Sequence, residues 1–438
     1  MALWVGVDDT DSPRGGCTTF VLTELLALAA EHHLDLIGEP RLVRLNPNIP
    51  WKTRGNAALS ARFGRGVGPS RLVGEVRGRP LRAYPRGRPP PRSAAEEFLE
   101  AGWRTVRASA DKEAKGTDPA MVAAFRPLPT RMYRRAVQEV VPIAEARREL
   151  QAAGAWVRTQ GSDRGLVGAA AAIAWPARHG TWELISYRDP ARYGLRREVD
   201  APSVRRAQAA DPRLFLCFDE RTRRLLVAPH TPCPILFGLR GTHRDAPLHA
   251  RARIRSEPVE RWVLFRTNQG TGDHLRPRAA EEWPQYRSGW VSGKVSGPIL
   301  SQPGGHVRFT VAPARGPTID CLAFEPTKVL PRVAQDLQPG DRVRVWGSRG
   351  VDPAIRLEGI EVLRWAPAGS RTRPPTCASC GRGTRSLGRQ RGYQCPGCRR
   401  RWPPESAVLS PRTPPRPLGT YHPTPSARRH LAPLGPEG

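Results

Sequence analysis

The chain has 438 residues, too many for one ordinary hydrophobic core, so two to four domains are expected. Its 70 Lys and Arg outnumber its 40 Asp and Glu to give a net charge of +30, a self-repelling surplus that a polyanion would neutralise and that directs attention to nucleic acid. The longest apolar runs, such as 20–30, fall far short of a bilayer span, and the start Met-Ala-Leu-Trp-Val lacks the blocks of a secretory signal, so a soluble cytoplasmic protein is expected, not a membrane protein.

An apolar strand, Leu3 to Val7, runs directly into Asp8-Asp9-Thr10-Asp11-Ser12. Gly15-Gly16 follows, then a helix over 18–32 whose Phe20, Val21, Leu25 and Leu28 recur at helical spacing, with Thr18 or Thr19 as its cap. A strand near 41–45 leads into a polar loop, Asn46 to Asn56, and a third strand covers 57–63. Residues 64–92, rich in Arg, Gly and Pro, read as a surface arm. Helices are expected at 93–103 and 130–153, and Arg164-Gly-Leu-Val-Gly-Ala169 opens an alanine-rich one. Strand signal recurs at 181–188, 214–218, 224–228 and 234–239. This pattern divides into an α/β domain over 1–135, an α+β domain over 136–250 and a connector over 251–285.

From 286 the texture changes to short strands at 289–295, 306–311, 318–323, 341–346 and 355–365. A helix near 328–337 sits between the third and fourth, the layout of an OB-fold β-barrel over 286–366. A Pro/Ser/Arg linker over 366–376 leads to a cysteine-rich module at 374–402, and the Pro- and Arg-rich residues 403–438 are expected to be a basic, disordered tail.

Within that module, Cys377-Ala-Ser-Cys380 and Cys395-Pro-Gly-Cys398 have the spacing of four thiolates around one structural Zn²⁺. So small a unit cannot bury enough apolar surface to fold alone, whereas zinc binding supplies roughly 10–16 kcal/mol. Arg399, Arg400 and Arg401 follow the last cysteine and are candidates to contact RNA phosphates. Cys17, Cys217, Cys233 and Cys321 are solitary, which is no disulfide framework.

Asp8, Asp9 and Asp11 form the second constellation. Carboxylates this close repel by on the order of a few kcal/mol per pair near a surface, and Mg²⁺ held together with substrate phosphates would relieve that. Gly15, Gly16 and Thr19, at a helix start, offer donors to a phosphate. The alternative is an Asx-rich turn that only caps the helix. Lys52, Arg54 and Asn56, on a loop that also leaves a strand end, could face the acids as phosphoryl transfer requires. The alternative there is a basic surface loop. No Walker-type lysine loop occurs.

The segments Gly6-Val-Asp-Asp-Thr-Asp-Ser12, Cys17-Thr18-Thr19 and Arg44-Leu-Asn-Pro-Asn-Ile-Pro-Trp-Lys-Thr-Arg-Gly-Asn56 resemble the archaeal isoleucine-tRNA 2-agmatinylcytidine synthetase family. Arg164 to Ala169, Pro234-Ile-Leu-Phe-Gly-Leu-Arg-Gly241 and Phe265-Arg-Thr-Asn-Gln-Gly270 extend the resemblance, which covers about 1–400. It implies a kinase-like N-terminal domain, a ferredoxin-like domain, an OB-fold and a zinc ribbon. It implies an ATP-dependent ligase that joins agmatine to C2 of the wobble cytidine in the isoleucine tRNA with a CAU anticodon, releasing AMP and pyrophosphate and changing decoding from AUG to AUA. Thr18 matches the family's autophosphorylated threonine, and Asp8, Asp9 and Asp11 its acidic catalytic loop. The chain departs from the family pattern at Ser162-Asp163, at Pro229-His-Thr-Pro-Cys-Pro234 and at Gly272.

Trp290, Trp346 and Trp365 are candidate stacking surfaces or core residues, and His230 and His274 read as structural. Nothing calls for an obligate protein partner. Two rival readings are a non-catalytic single-strand binder built on the barrel and ribbon, and a metal-dependent nuclease using the same acids.

Overall fold

The computed structural model describes residues 2–12, 14–52, 55–110, 116–279, 281–366, 368–388, 391–411 and 414–435. Its N-terminal part runs β1 (Leu3–Asp8), α1 (Thr18–Glu31), β2 (Asp35–Ile37), β3 (Arg41–Arg44), β4 (Ala57–Val67), β5 (Arg71–Val76), β6 (Arg79–Tyr84), β7 (Arg86–Arg88), α2 (Arg92–Ser109) and β8 (Ala120–Ala124). Then follow α3 (Thr130–Gln138), α4 (Ile143–Ala152), β9 (Trp156–Thr159), α5 (Gly165–Ala174), β10 (Thr181–Arg188), α6 (Ala201–Ala210), β11 (Phe218–Asp219), β12 (Arg224–Leu225), β13 (Ile235–Gly241), α7 (Asp245–Arg251) and β14 (Val259–Thr267).

Every residue of β1 is buried because the strand has a helical layer on both sides. Leu3, Val5 and Val7 pack with α1 and α2, while the alternate Trp4 packs with α3 and α5. Helix α5 can lie directly on the sheet because its residues are small: a Cβ at Gly6 would come within 2.2 Å of the Ala169 carbonyl. Strand β4 pairs antiparallel with β1 on one side and with β3 on the other, so β1 and β3 end at the same edge of the sheet. The order β13-β10-β14-β5-β6-β2-β4-β1-β8-β9 carries the sheet onward, and β3 also pairs with β14.

Several expectations are corrected here. Residues 64–92 are not an arm: β4 extends to Val67, and β5, β6 and β7 pair back into the sheet, burying Val73, Val76 and Ala83. The segment 251–285 is more than a connector, since β14 pairs with β10 along its length and touches β5 and β3. The single helix at 130–153 is two helices, because Pro142 cannot donate within a helix and instead precedes α4.

The second half contains β15 (Ser288–Gln302), β16 (His306–Pro313), β17 (Ile319–Ala323), α8 (Val329–Gln335), β18 (Arg342–Arg349) and β19 (Ile355–Arg364). Parallel pairing of β17 with β19 closes these strands into a barrel around Val307, Phe309, Leu330, Val345 and Ile360. Strands β20 (Ala368–Arg373), β21 (Arg385–Ser386), β22 (Tyr393–Gln394), β23 (Arg401–Trp402) and β24 (Val408–Pro411) come next. Where a linker is expected over 366–376, β20 pairs with β24 and brackets the cysteine module.

The expected disordered tail is also corrected. Strand β25 (Gly419–Tyr421) adds to the barrel beside β19, the Ser426 N–H donates to Asp219 Oδ2 at 3.0 Å, and Leu431 is buried under α3 and α5. Proline-rich chain needs no core of its own when it lies in a groove and inserts occasional apolar side chains. Trp365 is a core residue of the barrel, Trp346 is buried against His422 outside that core, and Trp290 is half-buried beneath the Arg344 guanidinium. His274 is fully buried against Glu358 at 2.8 Å. Among the described residues, no helix is long and apolar enough to cross a membrane.

Candidate active site

Because β1 and β3 end at one edge, the acidic loop and the Asn46-to-Asn56 loop open onto one cavity of about 530 Å³. Asp8, Asp9, Asp11, Thr18, Lys52 and Asn56 line it, together with Glu139, Val140, Ile143 and Arg164. Two further elements close in on Asp8 and Asp9. Asp8 pairs with Ala120 at the start of β8, which places Asp118 beside Asp9. Helix α5 crosses above at Gly168, where an added Cβ would stand 1.8 Å from Asp8 Oδ2. Gly168→Ala should therefore displace the Asp8 carboxylate and destabilise the protein by about 1–3 kcal/mol, measurable by denaturant unfolding.

Crowding shows in the acids' proton affinity. Burial, then the charge of Asp9, pushes the Asp8 carboxyl well above its ordinary range. Burial, then Asp118 and Asp11, raises Asp9 to about 7, with Arg164 opposing. Asp9 also has a left-handed backbone, φ 59°, which an aspartate tolerates better than most residues.

Asp11 caps α1. Its Oδ1 accepts the Thr18 N–H at 2.7 Å and the Thr18 hydroxyl at 3.1 Å. The cap expected from Thr18 or Thr19 is thus supplied from the loop; Cys17 occupies the N-cap position without a side-chain bond. The Thr18 hydroxyl also receives a hydrogen bond from Thr10 Oγ1 at 3.1 Å.

Other expected residues are placed unevenly. Lys52 lines the cavity, but its ammonium donates to the Pro47 and Ile49 carbonyls of its own loop, at 2.7 and 3.3 Å. Asn56 braces that loop through the Asn46 carbonyl at 2.9 Å. Gly15 and Gly16 are outside the cavity lining. Gly16, at φ 71°, serves the turn, where a Cβ would meet the Thr10 carbonyl at 2.7 Å. Arg54 lies outside the described residues.

A second cavity of about 280 Å³ adjoins the first, sharing Asp11, Thr18, Gly55 and Ala57. Thr19, Arg44, Glu183, Cys233, Arg240 and His430 also line it. Glu183 is buried between Arg44 and Arg240, each 3.1 Å away. Burial would raise its carboxyl, but the two guanidiniums outweigh that and hold it below the usual range. Sequence reasoning missed Asp118, Glu183, Arg240 and His430. The only signal near any of them was Arg240's place in the Pro234-to-Gly241 motif.

In the cysteine module the four Sγ atoms of Cys377, Cys380, Cys395 and Cys398 lie within 4.8 Å of one another, the arrangement of a metal centre. Thiolates about 2.3 Å from a central zinc stand about 3.8 Å apart, so the set fits Zn²⁺. Arg399, Arg400 and Arg401 are exposed beside it.

Residues 4–161 match the TiaS TCKD domain, 163–274 the TiaS FLD domain and 374–413 the TiaS C-terminal zinc ribbon domain. The chain is 34% identical to the isoleucine-tRNA 2-agmatinylcytidine synthetase TiaS of Methanosarcina mazei, over 98% of this chain and 96% of that protein. It is similar to the solved complex of TiaS with its isoleucine tRNA and ATP, at a TM-score of 0.82 and 32% identity. For the complex with that tRNA, AMPCPP and agmatine the values are 0.80 and 30%; in both, 99% of this chain and 96% of the other are covered.

Proposed function

The chain belongs to the isoleucine-tRNA 2-agmatinylcytidine synthetase family, and on that premise we propose that it uses ATP to join agmatine to C2 of the wobble cytidine of the CAU-anticodon isoleucine tRNA. The observation that carries the reading is the convergence of the acidic loop and the Asn46-to-Asn56 loop on one cavity, continuous with a second, charged cavity. The first suits a nucleotide triphosphate, the second the reacting base and amine.

Asp8, Asp9 and Asp11 would hold Mg²⁺, whose charge would offset the burial and the repulsion that raise Asp8 and Asp9. When bound, that cation supplies charge neutralisation to the triphosphate. Thr18 is the phosphoryl acceptor in our reading, its hydroxyl hydrogen-bonded to a carboxylate able to take its proton. Lys52, Arg54 and Asn56, with Gly15, Gly16 and Thr19, are assigned to the phosphates. The cavity-lining face of 1–161 supports a kinase-like reading, the sheet of β10, β13 and β14 with its helices a ferredoxin-like one, and the strand order of the barrel an OB-fold.

Mass spectrometry of the tRNA after incubation with ATP and agmatine tests the proposal. The expected product is one 2-agmatinylcytidine at the wobble position, formed with AMP and pyrophosphate. Cleavage of tRNA by the protein and Mg²⁺ without ATP would instead reveal a nuclease. We assign Zn²⁺ to the four cysteines, and Arg399, Arg400 and Arg401 to RNA phosphates. Cys395→Ser should release zinc and weaken tRNA binding, the slope of log K against log salt falling by about 0.7–0.9 per lost phosphate contact. Substitution isolates the ribbon better than truncation, which would also remove residues 419–435.

A further inference from the structure

Residues 428–434 are tied to elements on both sides, and His430 among them lines the second cavity. Arg429 Nη1 is 3.1 Å from Glu358 Oε1 and hydrogen-bonds Asn48 Oδ1 of the polar loop. The His430 carbonyl accepts the Gly270 N–H at 2.8 Å, the Leu431 carbonyl accepts that of Gly272 at 2.8 Å, and the Leu434 N–H returns to Gly270 at 3.1 Å. Leu431 is buried, and the side chain of His430 lines the second cavity beside Arg44. Its Nε2 lies 3.5 Å from where a Cβ would stand at Gly55, so the ring occupies space that a side chain there would contest.

We propose that His430 is the base that takes the proton from agmatine's amine as it replaces the activating group on the wobble cytidine. The inference rests on the function proposed above. Agmatine reacts through its neutral-amine fraction, the ammonium proton having gone to water. The amine's lone pair forms the new N–C2 bond, and the bond between C2 and the phosphate-bearing oxygen breaks with its electrons leaving on phosphate. The proton shed by the newly bonded nitrogen passes to a ring nitrogen of His430.

The surrounding groups favour this assignment. Among the described residues, neither ring nitrogen has a hydrogen-bond partner, although the ring is exposed to the cavity. The charged groups on that wall are Arg44, Arg240, Glu183 and Asp11, with the thiols of Cys17 and Cys233 beside them. Both possible carboxylate bases are engaged: Glu183 by Arg44 and Arg240, Asp11 by Thr18. The charges of Arg44 and Arg240 hold the imidazole neutral, pushing its pKa well below the ordinary value. A weak base suffices, because an amine nitrogen already bonded to an electron-poor ring carbon is strongly acidic.

The full-length protein and its His430→Gln and His430→Ala variants should be compared for tRNA-dependent AMP formation and, separately, for transfer of radiolabelled agmatine. We expect AMP formation to persist in both variants while transfer falls by about 10²–10⁴-fold. Added imidazole should restore part of the transfer in His430→Ala, and more basic imidazoles should restore more. Wild-type transfer rates in His430→Gln would overturn the proposal. So would an equal loss of AMP formation and transfer with no rescue, which would mark His430 as structural. If the wild-type protein itself transfers no agmatine, the functional reading falls, a result distinct from either.

Discussion

Asp9→Asn is expected to lower agmatine transfer by about 10²–10³-fold, the cost of removing one preorganised charged group from a phosphoryl-transfer centre, while leaving tRNA affinity unchanged. The substitution keeps the shape of the loop and removes one of the charges we assign to Mg²⁺. A second measurement separates this from a packing defect. With a folded pKa of about 7 against an ordinary 3.8, the metal-free protein holds a proton on Asp9 that the unfolded chain releases. Stability from this group is complete below pH 3.8 and is lost as pH rises through about 7. A divalent cation competes with that proton, so Mg²⁺ should raise the melting temperature more at pH 8 than at pH 5. In Asp9→Asn that pH dependence should shrink, the remainder coming from Asp8. Full activity in the variant would remove the acidic loop from the chemistry.

Glu183→Gln should destabilise the protein by about 3–5 kcal/mol, because it leaves Arg44 and Arg240 buried with no counter-charge. Both guanidiniums line the second cavity, so transfer should fall as well. The sign with pH is opposite to that of Asp9. The Glu183 carboxyl lies below its ordinary 4.5, so its contribution is present above pH 4.5 and is lost as pH falls through the folded value. The wild type should therefore approach the variant's stability in acid, as followed by denaturant unfolding at pH 7 and pH 3. A constant gap between the two would mean that Glu183 contributes by packing alone.

The parts of the site that could be read from sequence share one property: they are local. Asp8, Asp9 and Asp11 are adjacent, the Asn46-to-Asn56 loop is continuous, and the cysteine pairs carry their own spacing. The barrel was legible for the same reason, its strands following one another with a helix in a fixed slot. What escaped is assembled by pairing across long separations. Glu183 reaches Arg44 only because β14 lies between β10 and β3, and His430 arrives from residues whose Pro and Arg content resembles that of disordered chain. Pro142 was visible, but the helical periodicity on either side of it concealed the break.

Strand β14 also governs how the protein can move. It bonds to β5 through Trp262 and Val263 and to β3 through Arg266 and Thr267, so the segments matching two named domains share one sheet. A hinge between them would have to break those bonds. The two halves should consequently melt as a single calorimetric unit, and amide protons of β3 and β14 should exchange at one common, slow rate. Entry of a bulky anticodon loop then falls to the loops at the rim rather than to any jaw-like opening.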